Sequence, residues 1–124
     1  MSISILRTGV DLIEISRLVD LEPKIKTRFL DRVYTTREKE ICGENQATLA
    51  GRFAAKEAVS KALGSGIGEI HWQDIEILKG DEGEPILHLH QKALERSNQL
   101  GIKIWSISIS HNKTTAVAYV VGIG

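Results

Sequence analysis

The sequence predicts an α+β chain in which one long central helix packs against an antiparallel sheet. Strand-like and helix-like segments fall in blocks rather than in strict alternation. The stretch Gln46 to Leu63 is apolar or small on almost every side of its helical wheel, as a helix packed on several sides must be. The second half holds strand segments set around short turns, the pattern of hairpins.

In order, Ile3 to Ile13 reads as a strand, rich in β-branched residues through Gly9-Val10-Asp11-Leu12-Ile13. Short helices over Glu14 to Leu21 and Lys24 to Leu30 flank Pro23, and Thr35 with Glu38 has capping-box spacing for a helix ending near Gly43. The central helix Gln46 to Leu63 is closed by Gly64. Strands at Asp74 to Lys79 and Pro85 to His90 surround Gly80-Asp81-Glu82-Gly83 as a hairpin. A helix over Gln91 to Leu100 stops at Gly101, and strands Lys103 to Ser110 and Thr115 to Val121 enclose a turn at His111 to Thr114.

A length of 124 residues suits one domain, 1–124, able to bury roughly two-thirds of its unfolded surface without a staple. A single cysteine, Cys42, and a first segment with neither a basic start nor a sustained apolar run point to a reducing, cytoplasmic setting. No run approaches the ~20 apolar residues of a membrane span, and sixteen basic against sixteen acidic residues argue against a nucleic-acid binder. The charge is nevertheless two-ended. Lys24 to Arg37 carries five basic residues and only Asp31 as acid, whereas Glu69 to Glu84 carries six acids and only Lys79 as base. The basic stretch reads either as a solvated face or as a dock for an acidic partner.

On the central helix, Glu57 shares an arc with Leu49, Ala50, Phe53 and Ala54. A carboxylate there needs a partner. Lys61, one turn later, contributes only ~0.2–0.5 kcal/mol as an exposed pair, so a divalent cation or a charged ligand is the natural further candidate, the alternative being that Glu57 snorkels to solvent or pairs with a buried arginine. Asp11 likewise interrupts an apolar strand, either as a second metal ligand or as a cap for the next helix. Arg52 and Lys61 frame Glu57, and Gly64-Ser65-Gly66-Ile67-Gly68 offers close backbone approach, the makings of a magnesium-bound phosphate. The glycine run follows a helix rather than a strand, so by itself it reads as a helix cap.

Gly9-Val10-Asp11 with Arg17, then Phe29, Arg32, Thr35 and Glu38, then Gly51-Arg52-Phe53-Ala54-Ala55-Lys56-Glu57-Ala58 with Ser60-Lys61-Ala62-Leu63-Gly64, and finally Ser108-Ile109-Ser110-His111, resemble the holo-acyl carrier protein synthases. These are the small branch of the 4'-phosphopantetheinyl transferases. The resemblance implies transfer of phosphopantetheine from coenzyme A to a carrier-protein serine in lipid metabolism such as fatty acid biosynthesis. It makes Asp11 and Glu57 the Mg²⁺ ligands and Lys61 a phosphate contact, so that Asp11, Glu57 and Lys61 carry catalysis, with Glu57 or a metal-bound hydroxide as base. It gives Arg52, Lys61, Gly64, Gly66 and His111 to coenzyme A and Arg17, Lys24 and Arg28 to docking of acyl carrier protein. It implies a homotrimer in which Arg52 and His111 come from the subunit opposite the metal site. His111 also reads as a core or turn histidine continuing the face of Trp105, Ile107 and Ile109. The sequence departs from the family at Gly43-Glu44-Asn45-Gln46, where many relatives carry a longer, basic connection. A non-catalytic module docking an acidic protein, or a nucleotide pyrophosphatase, are the rival readings.

Overall fold

The computed structural model describes residues 2–124. The element order is β1 (Leu6–Glu14), α1 (Ser16–Val19), α2 (Pro23–Val33), α3 (Thr36–Cys42), α4 (Gln46–Leu63), β2 (Ile75–Lys79), β3 (Pro85–Leu89), α5 (Gln91–Leu100), β4 (Ile104–His111) and β5 (Thr115–Ile123). β1, β5 and β4 form an antiparallel sheet in that order, and β2 pairs with β3 as a hairpin. The α+β class and the central helix on an antiparallel sheet are as the sequence predicts.

α4 lies across the sheet because its contact face is made of small residues. Ala50, Ala54, Ala55, Ala58 and Ala62 are all buried, and two glycines bring the backbones closer still. A Cβ on Gly9 of β1 would stand 1.9 Å from the Ala58 carbonyl oxygen, and one on Gly51 of α4 would stand 2.8 Å from Ile109 of β4. From β5, Ala116, Ala118 and Val120 complete the buried layer, with Ile13 of β1. Asn45 opens α4 by accepting from Thr48 N–H at 3.0 Å, and Gly64 closes it in the left-handed region at φ 70°.

The two-stranded hairpin would be marginal alone, and side chains take the place of a third strand. Along β2, the Ile75 carbonyl accepts from Lys56 Nζ, the Ile77 carbonyl accepts from Arg52 Nε at 3.0 Å, and Ile77 N–H donates to Glu38 Oε2 at 2.8 Å. Phe53 and Trp72 stack beside this junction with ring centroids 4.9 Å apart. Cys42 at the end of α3 is buried and unpaired, and burial pushes its thiol pKa up to about 11.

Several boundaries differ from expectation. β1 begins at Leu6 rather than Ile3; Ser4 and Ile5 instead donate their N–H groups to the Gly124 carbonyl at 2.8 and 2.9 Å. Glu14 belongs to the strand, and the first helix is a single turn. Pro23 opens α2 at a position where its missing N–H costs nothing. His111 ends β4, paired with Ala116, instead of starting the turn. The acid-rich stretch is not wholly solvated: Asp74 and Glu76 are buried, Asp74 accepting from His71 N–H at 3.2 Å.

Candidate active site

The crossing of β1 and α4 assembles the site. Because strand side chains alternate, Gly9, Asp11 and Ile13 face α4 while Val10 and Leu12 face away. Asp11 is in mid-strand, opposite Ala118, so it caps no helix; the residue preceding α1 is Ile15. Glu57 and Lys61 stand one turn apart on the α4 face above it. Lys61 Nζ donates to Asp11 Oδ1 at 3.0 Å and to the Val10 carbonyl at 2.9 Å. The lysine therefore pairs across to the strand rather than back along its helix. Among the described residues, no ammonium or guanidinium lies within ion-pair distance of Glu57. Partial burial, and then the neighbouring Asp11 charge, push the Glu57 pKa above the usual carboxylate value, against the opposing pull of Lys61.

Two neighbouring carboxylates, with Glu57 made harder to ionise by burial and by the Asp11 charge, are a fitting seat for a hard dication. Among the described residues, no group of three or more His, Cys, Asp or Glu side chains is placed to bind a metal. That donor set suits Mg²⁺, which commonly uses one or two carboxylates and completes its shell with water and substrate phosphate.

The remaining candidate residues are spread around the fold. Gly64 and Gly66 follow Lys61 at the end of α4, both with positive φ (70° and 68°). A Cβ at Gly64 would stand 2.7 Å from the Arg7 guanidinium, whereas nothing crowds Gly66, whose glycine answers a conformational need. Arg52 is about 140° round the helix from Glu57 at 100° per residue, buried against β2. His111 is exposed at the end of β4, and its Nδ1 lies 3.3 Å from the Asn112 carbonyl oxygen. Neither joins Asp11, Glu57 and Lys61 in this arrangement of one chain. Arg17 on α1 and Lys24 and Arg28 on α2 are all exposed.

The 4'-phosphopantetheinyl transferase superfamily model matches residues 7–120. A holo-[acyl-carrier-protein] synthase of Natranaerobius thermophilus is 45% identical over 118 residues, covering 92% of this chain and 94% of the relative. The chain belongs to the 4'-phosphopantetheinyl transferase superfamily. Two solved structures are similar throughout. One is the Helicobacter pylori holo-[acyl-carrier-protein] synthase in complex with coenzyme A, with TM-score 0.84, 36% identity, and coverage of 93% of this chain and 98% of that one. The other is a Bacillus anthracis holo-(acyl-carrier-protein) synthase in complex with CoA (3',5'-ADP), with TM-score 0.78, 36% identity and 99% coverage of both chains.

In this transferase, Lys56, the immediate neighbour of Glu57, has an internal role that its sequence position conceals. Its ammonium is fully buried and donates to Glu38 Oε1 at 2.8 Å and to the Trp72 carbonyl at 3.1 Å. Glu38 also closes the capping box at Thr35, accepting from its N–H at 2.9 Å. Thr35 Oγ1 in turn donates to Glu76 Oε2 at 2.6 Å. Thus the rotation of α4, and with it the direction of Glu57, is fixed by a buried ion pair to α3. At the far end of α4, Arg7 Nε donates to the Ala62 carbonyl at 2.8 Å and Arg96 Nε to that of Leu63 at 3.0 Å. These two guanidiniums stabilise a helix C-terminus that already bears Lys61 in its last turn. An apolar neighbourhood on both sides of the Lys56-Glu57 pair was the available signal for Lys56; nothing local announces Arg7 or Arg96.

Proposed function

We propose that the chain transfers 4'-phosphopantetheine from coenzyme A to a serine of apo-acyl carrier protein, releasing adenosine 3',5'-bisphosphate. The observation that carries this reading is the meeting of Asp11, Glu57 and Lys61 where β1 crosses α4. Supporting it are the names of the relatives and the coenzyme A and 3',5'-ADP of the two similar structures. A docking module without catalysis would have no use for two adjacent carboxylates.

In the reaction, the serine oxygen bonds to the β-phosphorus as the bond from that phosphorus to the bridging diphosphate oxygen breaks, and the serine proton passes to a base. Glu57 would be the candidate for that base among this chain's own residues. Asp11 and Glu57 would hold Mg²⁺, which supplies charge neutralisation at the diphosphate. Lys61 offers its ammonium to a phosphate oxygen, and the Gly64 to Gly66 turn admits the diphosphate beside it. Arg52 and His111 would serve a coenzyme A bound on a neighbouring subunit of a homotrimer. An unpartnered apolar sheet face favours such an assembly: Leu6, Val10, Leu12, Ile104 and Tyr119 are 46–67% exposed on the side away from α4. Arg17, Lys24 and Arg28 form the dock for an acidic carrier, and the buried Cys42 suits a cytoplasmic enzyme serving lipid metabolism such as fatty acid biosynthesis.

Intact-mass spectrometry of apo-acyl carrier protein incubated with the chain, coenzyme A and Mg²⁺ tests the proposal. Addition of one phosphopantetheine is expected, with a carrier KM that rises with salt as the basic dock is screened over a Debye length of ~8 Å at physiological ionic strength. An unmodified carrier alongside hydrolysed coenzyme A would identify a pyrophosphatase instead.

A further inference from the structure

We propose that Lys61 competes with the divalent cation for Asp11, so that metal binds this chain well only when a diphosphate arrives to take the lysine. The inference rests on the reading above, in which Asp11 and Glu57 hold the metal, and it assigns that site an order of assembly.

Lys61 reaches from α4 to two oxygens of β1, Asp11 Oδ1 at 3.0 Å and the Val10 carbonyl at 2.9 Å. The Asp11 side chain is mostly covered, at 18% exposure, so its open coordination is limited and one oxygen is already occupied by an ammonium. Glu57 has no such partner among the described residues, so the competition falls on one carboxylate of the two. An ammonium and a dication on the same carboxylate repel one another strongly at such range. For the metal to bind Asp11 fully, Lys61 must leave, giving up a charge-assisted hydrogen bond.

It can leave without disturbing the core. Its side chain is 54% exposed, on a flexible four-carbon stem. What it lacks after leaving is an anion. Glu57, one turn back, would itself be engaged in holding the cation, whereas an incoming diphosphate would offer its oxygens to the ammonium. Displacing the lysine is therefore uphill for metal alone and offset when metal and diphosphate come together. The two ligands bind with positive coupling, and by reciprocity metal raises the affinity for coenzyme A by the same factor.

The test measures Mn²⁺ binding to the full chain without coenzyme A, by counting free Mn²⁺ in electron paramagnetic resonance, so that catalysis plays no part. Lys61→Met keeps the stem and removes the charge. It is expected to bind Mn²⁺ alone at least about fivefold more tightly than the wild type, the low end of typical coupling factors. Coenzyme A should raise Mn²⁺ affinity in the wild type and much less in Lys61→Met. Lys61→Arg, still cationic, should bind Mn²⁺ alone as weakly as the wild type. Lys103→Met, which removes an exposed lysine outside the cluster, should leave Mn²⁺ binding unchanged and so exclude a general charge effect. Unchanged or weaker Mn²⁺ binding by Lys61→Met, while Asp11→Asn loses it, overturns the competition but keeps the site. Wild-type Mn²⁺ binding by Asp11→Asn overturns the site itself.

Discussion

Glu57 and Glu76 are glutamates at the edge of the same core, and their surroundings drive their acidities in opposite directions. At Glu57, burial and then the Asp11 charge raise the pKa above 4.5. The fold therefore favours the protonated form, a contribution complete below pH 4.5 and lost as pH rises through the folded-state value. At Glu76, burial also pushes upward but is outweighed by hydrogen bonds from Thr35 and His90 and by the charges of His90 and Arg37. Its contribution is present above 4.5 and lost as pH falls through a lowered value. In chelator-containing buffer, Glu57→Gln should be more stable than the wild type near neutral pH, with the difference closing in acid. Glu76→Gln should be less stable near neutral pH, its deficit also shrinking in acid. Urea denaturation at the two pH values checks both signs. The unusual place of Glu57 is legible on a helical wheel. The satisfied burial of Glu76 and Lys56 is not, because their partners lie on other elements, Thr35 and Glu38 being 41 and 18 residues away in the chain.

At the scale of elements, the sequence marks every strand and α-helix to within a few residues, since periodicity, capping residues and glycine stops are local, but not the single 3-10 turn Trp72–Asp74. It does not show how the elements meet. Gly9 reads as one more small residue in a β-branched strand, yet it sits under the Ala58 carbonyl and sets the separation of β1 from α4. Gly9→Ala places a methyl where backbone, not a yielding side chain, stands in the way. Overpacking of this kind typically costs ~1–3 kcal/mol. Because the strand must shift to relieve it, metal affinity should fall even under conditions where the variant is still fully folded. Thermal melting together with Mn²⁺ binding separates the two effects, and a variant that keeps native metal affinity would remove Gly9 from the site's architecture. Likewise, Arg52 reads as one side of a frame around Glu57. Its guanidinium turns instead toward β2, because an uncovered strand edge needs donors for its carbonyls.

For the whole molecule, the separation of Arg52 and His111 from Asp11, Glu57 and Lys61 becomes a statement about assembly. If coenzyme A lies between neighbouring copies, mixing Glu57→Ala with His111→Ala subunits should regenerate sites in which both groups are intact. Each variant alone should be nearly inactive, and carrier modification by the mixture should recover a measurable fraction of the wild-type rate. Absence of any recovery after confirmed subunit exchange would place all the groups in one chain. The apolar sheet face follows from alternation along β1, which makes Val10 and Leu12 point opposite to Asp11; a partner for that face is not written in the sequence of one chain. A different consequence follows from Cys42. A protein that handles a free-thiol donor is exposed to mixed-disulfide formation, which requires a reachable thiolate. Here the one sulfhydryl of the chain is enclosed and held protonated, so oxidised coenzyme A finds no sulfur to exchange with, and redox stress can deplete the substrate without tethering it to the enzyme.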